Sequence, residues 1–455
     1  MTALYYTLGV LIFVVAILAS IGLHELGHMI PAKKFGGKVT QYFIGFGPTV
    51  WSKQVGETEY GVKAIPLGGY VKIVGMLPPG AEELAETVDY DEDGNQVVRV
   101  RKSNTGMFTQ LISDARSAEW EHVKPGDEDR LFYRMAWWKK VVVMSGGPTV
   151  NILIAFFIFW GVFATVGNTE GFDTKTVVDQ VVPCVVPAAE DGRTCTADEL
   201  ANHPTPASAA GLRQGDKFLS FNGTPVTDWT QLQGFIRKNG DKAAVLGVER
   251  DGQRLDVKVT TQVEPRPLDP KDAGTLTPVG FLGVVPVQTP VIVTGGPIYT
   301  LQQMDTMTVE TVKALGTLPV KVFGVAKALV GLEERDVNGP VSIVGGGRLA
   351  GEVASSDSFP VRDKLVSLLM LIAGFNFFIG LFNFVPLLPL DGGHIAGALY
   401  EALRRGVARL RHRPDPGYVD VAKLLPIAYV MAMAFLAMGV VLILADLIVP
   451  IHLVS

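Results

Sequence analysis

Residues 1–28, MTALYYTLGVLIFVVAILASIGLHELGH, decide the class of fold. No charged residue precedes Glu25, so 1–23 is an uninterrupted apolar stretch, and about 20 such residues suffice to cross a bilayer as a helix. A secretory signal peptide is the competing reading. Against it, the basic leading region is missing, the apolar run is too long, and no small-residue cleavage site precedes the charges. The stretch closes on His24-Glu25-Leu26-Gly27-His28. On a helix, imidazoles at i and i+4 share a face and converge on a metal, with the intervening carboxylate placed to take a proton from water. The bland alternative is a polar rim where the helix leaves the bilayer. Ionisable groups in a span are costly, however, and are kept for function.

The remaining 427 positions (455 − 28) point the same way. Across the chain 48% of residues are apolar and 19% charged, too greasy for an ordinary soluble protein. Forty basic against forty-five acidic side chains give a net charge of −5, which excludes the basic surface that nucleic-acid binding needs. Three more uncharged runs, 141–168, 365–390 and 424–445, complete a polytopic α-helical membrane protein of about four transmembrane helices. Lys33, Lys34 and Lys38 follow the first span, Lys139 and Lys140 precede the second, and Arg404, Arg405, Arg409, Arg411 and Arg413 lie between the third and fourth. Both connections are therefore expected in the cytoplasm, with both termini and 171–363 outside. Arg362 and Lys364 flank the third span on the outer side and weigh the other way, but less than five arginines in one loop.

Between the spans, 40–76 reads as short β segments with turns at Ile44-Gly45-Phe46-Gly47-Pro48 and Pro66-Leu67-Gly68-Gly69, the second joining 58–65 and 70–76 as a membrane-associated hairpin. The acidic run 82–93 reads as a solvated insert. Trp137 and Trp138 beside Lys139 and Lys140 read as an interfacial anchor. Further on, Gly211-Leu212-x-x-Gly215-Asp216 with Asn222-Gly223 resembles bacterial PDZ domains, and a helix at 227–238 with strands at 243–250 and 254–261 would complete one α+β unit. Residues 302–332 have the periodicity of an amphipathic surface segment, ended by Asn338-Gly339-Pro340, with Gly345 to Gly347 a flexible joint. The expected organisation is span one at 1–31, a cytoplasmic β region with acidic insert at 32–139, and span two at 140–168. A PDZ-like domain at 171–290 and an amphipathic segment at 291–363 follow. Span three at 364–392, a basic loop at 393–422 and span four at 423–449 complete it.

A catalytic zinc needs a third protein ligand and an open position. The two cysteines, Cys184 and Cys195, cannot form a Cys-only site. Asp391, in Asn383-x-x-Pro386-x-x-x-x-Asp391-Gly392, is the candidate, because spans one and three both run inward and bring His24, His28 and Asp391 to one depth. A carboxylate capping the exit of a span is the alternative. His394 could also bind metal but reads first as a turn histidine facing the cytoplasm, and Asn151 reads as structural. Cys184 and Cys195, close in sequence and on the outer side, are expected to form a disulfide.

These motifs resemble the intramembrane site-2 proteases, zinc metallopeptidases of the M50 type. The organisation is closest to the actinobacterial enzymes of regulated intramembrane proteolysis and more distant from RseP-like members. The likeness covers nearly the whole chain: the His24-Glu25-x-x-His28 helix, Gly45-x-Gly47, 60–72, 132–148, the PDZ-like unit, Asn338-Gly339-Pro340, and Asn383 to Gly392. It implies one Zn²⁺ per chain on His24, His28 and Asp391, Glu25 as general base, and Asn383, assisted by Asn376, on the substrate backbone. Tyr70, Val71 and Lys72 would hold the substrate extended. It further implies a multi-pass protein of the plasma (inner) membrane with its PDZ-like domain extracytoplasmic. Implied partners are the lipid bilayer, single-span membrane proteins such as pre-trimmed anti-sigma factors, remnant signal peptides, and peptide or protein C-termini at the PDZ-like domain. A single PDZ-like unit departs from the tandem pair of RseP-like members, so exclusion mechanisms built on two units are not carried over. A membrane metal transporter would not need Glu25 or a PDZ-like unit. A catalytically inactive PDZ scaffold would not need the ligands.

Overall fold

The computed structural model describes residues 2–78, 88–90, 96–98, 107–120, 123–187, 194–267 and 276–451. They form two compact units, Gly167–Thr294 and the remainder. In the larger unit the apolar amino terminus and the histidine motif make one helix, α1 (Thr2–Lys34), longer than the expected 1–31 and ending on Lys33 and Lys34, which suit the negative end of the helix dipole. Strands β1 (Val39–Val55) and β2 (Thr58–Ile73) follow. They are bent so that 41–44 pairs with 69–72 on one side and faces 59–62 on the other, while 52–55 pairs with 58–61. The expected hairpin of 58–65 on 70–76 is therefore not formed: residues 39–44 lie between those segments, and 69–73 becomes a sheet edge. Gly45, Gly47 and Gly68 take positive φ at the bends, a region open to glycine. The acidic run 82–93 lies outside the described residues except for β3 (Val88–Tyr90), which pairs with β4 (Gln96–Val98). Helix α2 (Met107–Trp120) leads to α3 (Trp137–Thr165), which starts three residues before the expected 140.

The second unit was expected at 171–290. It runs wider because its first strand, β5 (Asn168–Val181), and its last extend to both of its ends. After β5 come α4 (Ala197–Asn202), α5 (Pro206–Ala209), β6 (Lys217–Phe221), β7 (Thr224–Pro225), α6 (Trp229–Lys238), β8 (Ala243–Arg250), β9 (Gln253–Thr260), β10 (Gln262–Pro267), β11 (Leu276–Phe281) and β12 (Val284–Val293). Their main sheet has the order β12-β5-β6-β8-β9, with β7 on β6. Phe218, Leu232, Leu246 and Leu282 fill its core. Asn222 and Gly223, both at positive φ, make the tight β6–β7 turn. Buried Asp216 accepts two hydrogen bonds from Arg250 and one from the Arg213 N–H, and these outweigh burial to hold its carboxyl below the usual range. Cys184 and Cys195 are disulfide-bonded, with Cα atoms 6.0 Å apart.

Back in the larger unit, the expected amphipathic segment 291–363 resolves into two helices, α7 (Pro297–Leu329) and α8 (Ile343–Ser355). Gly345 to Gly347 are not a joint: they are buried inside α8, where a Cβ on Gly345 would strike the Asp446 carboxylate and one on Gly346 the Phe375 ring. Asp446 is paired with Arg335 at 2.5 Å and accepts the Ser342 N–H at 2.6 Å, fixing the start of α8. Helix α9 (Val361–Asn383) stops eight residues short of Asp391, because Pro386 and Pro389 cannot donate to a continuing helix. Helix α10 (Asp391–Leu410) then occupies most of the expected basic loop, before a single turn (Val421–Leu424) and α11 (Leu425–Ile448). Among the described residues, helices α1, α3, α9 and α11 are the four long and apolar enough to cross a membrane.

Helices α1 and α3 cross at backbone contact. A Cβ on Gly146 would overlap the Gly27 carbonyl oxygen, and one on Gly27 would sit 2.5 Å from that of Gly146. In lipid, small residues let helices approach this closely and gain van der Waals contact. Gly146→Ala should force the pair apart, costing about 1–3 kcal/mol. Thermal unfolding of the purified protein checks this, with bound metal expected to fall in parallel.

Candidate metal centre

One face of α3 carries Val143, Gly147 and Asn151, four residues apart, and each meets the histidine motif of α1. The His28 Nδ1–H donates to the Val143 carbonyl at 2.8 Å, and the His24 Nδ1–H donates to Asn151 Oδ1 at 3.2 Å. A side chain on Gly147 would collide with both Nε2 atoms. These partners leave both Nε2 lone pairs turned to a common point, the arrangement that orients imidazoles toward a metal. Asp391, the first residue of α10, reaches the same point from the other side, its Oδ2 3.4 Å from His24 Nε2 and 3.3 Å from His28 Nε2. The three ligand atoms lie within 4.8 Å of one another and are the group of this kind among the described residues. Two imidazole nitrogens and one carboxylate oxygen, with an opening to a cleft, are the donor set of a catalytic zinc rather than of a closed structural site.

The cleft has a volume of about 370 Å³. Glu25 lines it beside the ligands, and the strand edge 69–73 forms the opposite wall. That wall comes close because residue 69 is glycine: a Cβ there would lie 3.2 Å from Glu25 Cγ and 3.0 Å from the Phe43 carbonyl oxygen. The Val71 N–H is turned to the Glu25 carboxylate. Of the residues expected to hold substrate, Tyr70, Val71 and Asn383 line the cleft. Lys72 does not. Asn376 does not either: it is fully buried, its amide donating to the Ile372 carbonyl at 2.9 Å. His394, read as a turn residue, is helical. It lies in the first turn of α10 and lines the cleft. Asn151, read as structural, is hydrogen-bonded to His24, one of the candidate ligands. A carboxamide within an otherwise apolar span was the signal for it.

A paired-histidine helix, a carboxylate from a second element and a glutamate beside them define a metallopeptidase site. The model of peptidase family M50 matches residues 12–425, and the chain belongs to that family. Similar relatives include the zinc metalloprotease Rip1 of Mycobacterium tuberculosis, 31% identical over 98% of this chain and 99% of the relative. The regulator of sigma-W protease RasP of Bacillus subtilis is 24% identical over 87% and 90%, and the metalloprotease MmpA of Caulobacter vibrioides 25% over 87% and 86%. With its four apolar helices the chain is a multi-pass membrane protein and a zinc-dependent peptidase of the intramembrane kind.

Losing a partner that orients a ligating imidazole typically lowers metal affinity about 10–100-fold. Asn151→Ala is expected to weaken zinc binding by that order while leaving the fold intact, as read by competition with a chelator of known affinity.

Proposed function

We propose that His24, His28 and Asp391 hold one zinc ion and that Glu25 is the general base of peptide-bond hydrolysis within the membrane. The convergence of two Nε2 atoms and one carboxylate oxygen on a cleft that also contains Glu25 carries this reading. Zinc, when bound, polarises the scissile carbonyl and makes water a stronger acid. Glu25 takes the proton of the attacking water and returns it to the leaving amine. Asn383, on the cleft wall, contacts the substrate backbone.

The substrates are single-span membrane proteins such as anti-sigma factors already trimmed outside, and remnant signal peptides. A helix in lipid hides its carbonyls in internal hydrogen bonds, so the target must unwind before attack, and its freed groups then need partners. The edge 69–73, beside Glu25, supplies them by adding the unwound segment as one more strand. Pairing through the main chain reads extended conformation rather than side chains, which suits varied sequences. The unit Gly167–Thr294 is a PDZ-like domain on the outer side. Its groove of about 480 Å³ between α6 and β11 is the seat for peptide or protein C-termini. The arginine-rich α10 and the loop after it lie in the cytoplasm.

Glu25→Gln is expected to abolish cleavage of a single-span substrate while zinc content stays at one per chain. Full activity in that variant would sink the mechanism. Proline scanning through 70–74 removes one donor at a time from the edge. Cleavage should fall at alternate positions, Val71 and Ile73, whose N–H groups face the cleft, and uniformly normal cleavage would leave the edge a structural plug. An impermeant thiol reagent on intact cells should label a cysteine placed near Lys258 and spare one placed near Arg409. The reverse pattern would invert the topology.

A further inference from the structure

Helix α10 presents Asp391, His394, Ala398, Glu401 and Arg405 along one face, so the face that begins at the metal centre continues to an ion pair with α3. Lys140 Nζ donates to Glu401 Oε2 at 2.7 Å, and both side chains are buried. The second carboxylate oxygen, Oε1, is buried with no hydrogen-bond donor among the described residues, although the Arg405 guanidinium lies 3.2 Å away in an unfavourable direction. Between this pair and the cleft is a cavity of about 20 Å³, with Lys140, Glu401 and His394 as its polar wall and Phe132 and Val421 on its apolar side. Roughly 10–15 Å³ holds one water when two or more polar groups surround it. His394 and Met76 line both this cavity and the catalytic cleft.

The other polar side chains of the cleft already have partners or roles. His24, His28 and Asp391 face one another, and Asn151 holds His24. The Asn383 amide gives one N–H to the Ile379 carbonyl and keeps the other for the substrate backbone, the Tyr70 hydroxyl is directed to Gln41 Oε1, and Glu25 as base has no proton to offer at the moment of attack. Yet the negative charge that develops on the scissile carbonyl oxygen calls for a fixed donor. His394, one helical turn from Asp391, lines both the cleft and the small cavity and is placed to supply one.

We propose that His394 is a further catalytic residue, which donates a ring N–H to the oxygen of the scissile carbonyl as the tetrahedral centre forms, and that Glu401 positions it through one water in the small cavity. The other ring nitrogen accepts a hydrogen from that water, whose second hydrogen goes to Glu401 Oε1 and whose lone pair accepts from Lys140. Every member of the chain is then satisfied, and the imidazole is fixed with its N–H toward the cleft. No proton changes owner along it. Water adds to the carbonyl carbon, Glu25 carries its proton to the amine, and the carbon–nitrogen bond breaks, with His394 donating throughout.

The inference rests on the metallopeptidase reading, and its test separates the two. Wild type, Glu25→Gln, His394→Ala, His394→Gln and Glu401→Gln are purified. Each is measured for zinc content, for kcat and KM on a single-span substrate, and for affinity toward a phosphinic peptide that mimics the tetrahedral centre. Removing one such donor costs about 10²–10³ in rate. His394→Ala is expected to lose that factor in kcat, and a comparable factor in phosphinic-peptide affinity, with zinc content and KM retained. His394→Gln, which keeps an N–H donor, should recover part of both, and it decides the matter should the alanine variant not fold. Glu401→Gln should lose about tenfold in kcat alone. A kcat for His394→Ala within about threefold of wild type would overturn the proposal. So would a loss explained by missing zinc, or one that spares phosphinic-peptide affinity. Wild type that neither binds zinc nor cleaves would instead remove the metallopeptidase reading itself.

Discussion

The contact of Gly27 with Gly146 is the constraint on which the rest of the larger unit depends. Because neither residue has a side chain, α1 and α3 meet backbone to backbone, and the neighbouring Gly147 leaves room for both imidazoles. The same crossing places Val143 and Asn151 one turn to either side, where each takes the Nδ1–H of one histidine. Close approach and ligand orientation are thus one event. Bulk anywhere along 143–151 on this face would move the histidines as well as the helices.

The second half of the centre arrives by a different device. Two prolines end α9 after Asn383, and the chain restarts as α10 with Asp391 at its first position, so the proposed third ligand belongs to a helix start rather than to the end of a span. A helix start leaves backbone N–H groups free and favours a carboxylate. It also allows the polar face of α10 to run from the cleft to the Lys140–Glu401 pair. Opposite, the edge 69–73 forms the other wall of the cleft, with the Val71 N–H turned to the Glu25 carboxylate. The cleft therefore brings the proposed ligands, a strand edge and the polar face of α10 together within the larger unit.

Much of this was legible in the sequence because it is local or periodic. His24 and His28 converge by helical spacing alone, the charge-free runs mark the four apolar helices, and the arginines of 404–413 give an expected orientation. What escaped depends on long-range pairing or on packing. The interleaving of 39–44 between 58–65 and 69–73 reverses the simple hairpin reading, since turn residues mark where a chain bends but not which segments then pair. Gly345 to Gly347 read as flexible because glycine is permissive, yet Asp446 and Phe375 fill the space beside them. Pro386 and Pro389 did signal the break before Asp391, and the uncharged run through 390 masked it. The orienting role of Asn151 and the inward face of His394 needed partners 127 positions away and a neighbouring helix, respectively.

The central claim is that one zinc is held by two imidazoles and one carboxylate, with the fourth position open to the cleft. X-ray absorption at the zinc edge on the purified protein tests it most directly. The account predicts one zinc per chain with a first shell of nitrogen and oxygen at about 2.0–2.1 Å, imidazole scattering from two histidines and no sulfur. In Asp391→Asn the first shell should change while both imidazole signals remain. A sulfur shell, a chain without zinc, or a spectrum unchanged by substitution of His24, His28 and Asp391 would contradict it.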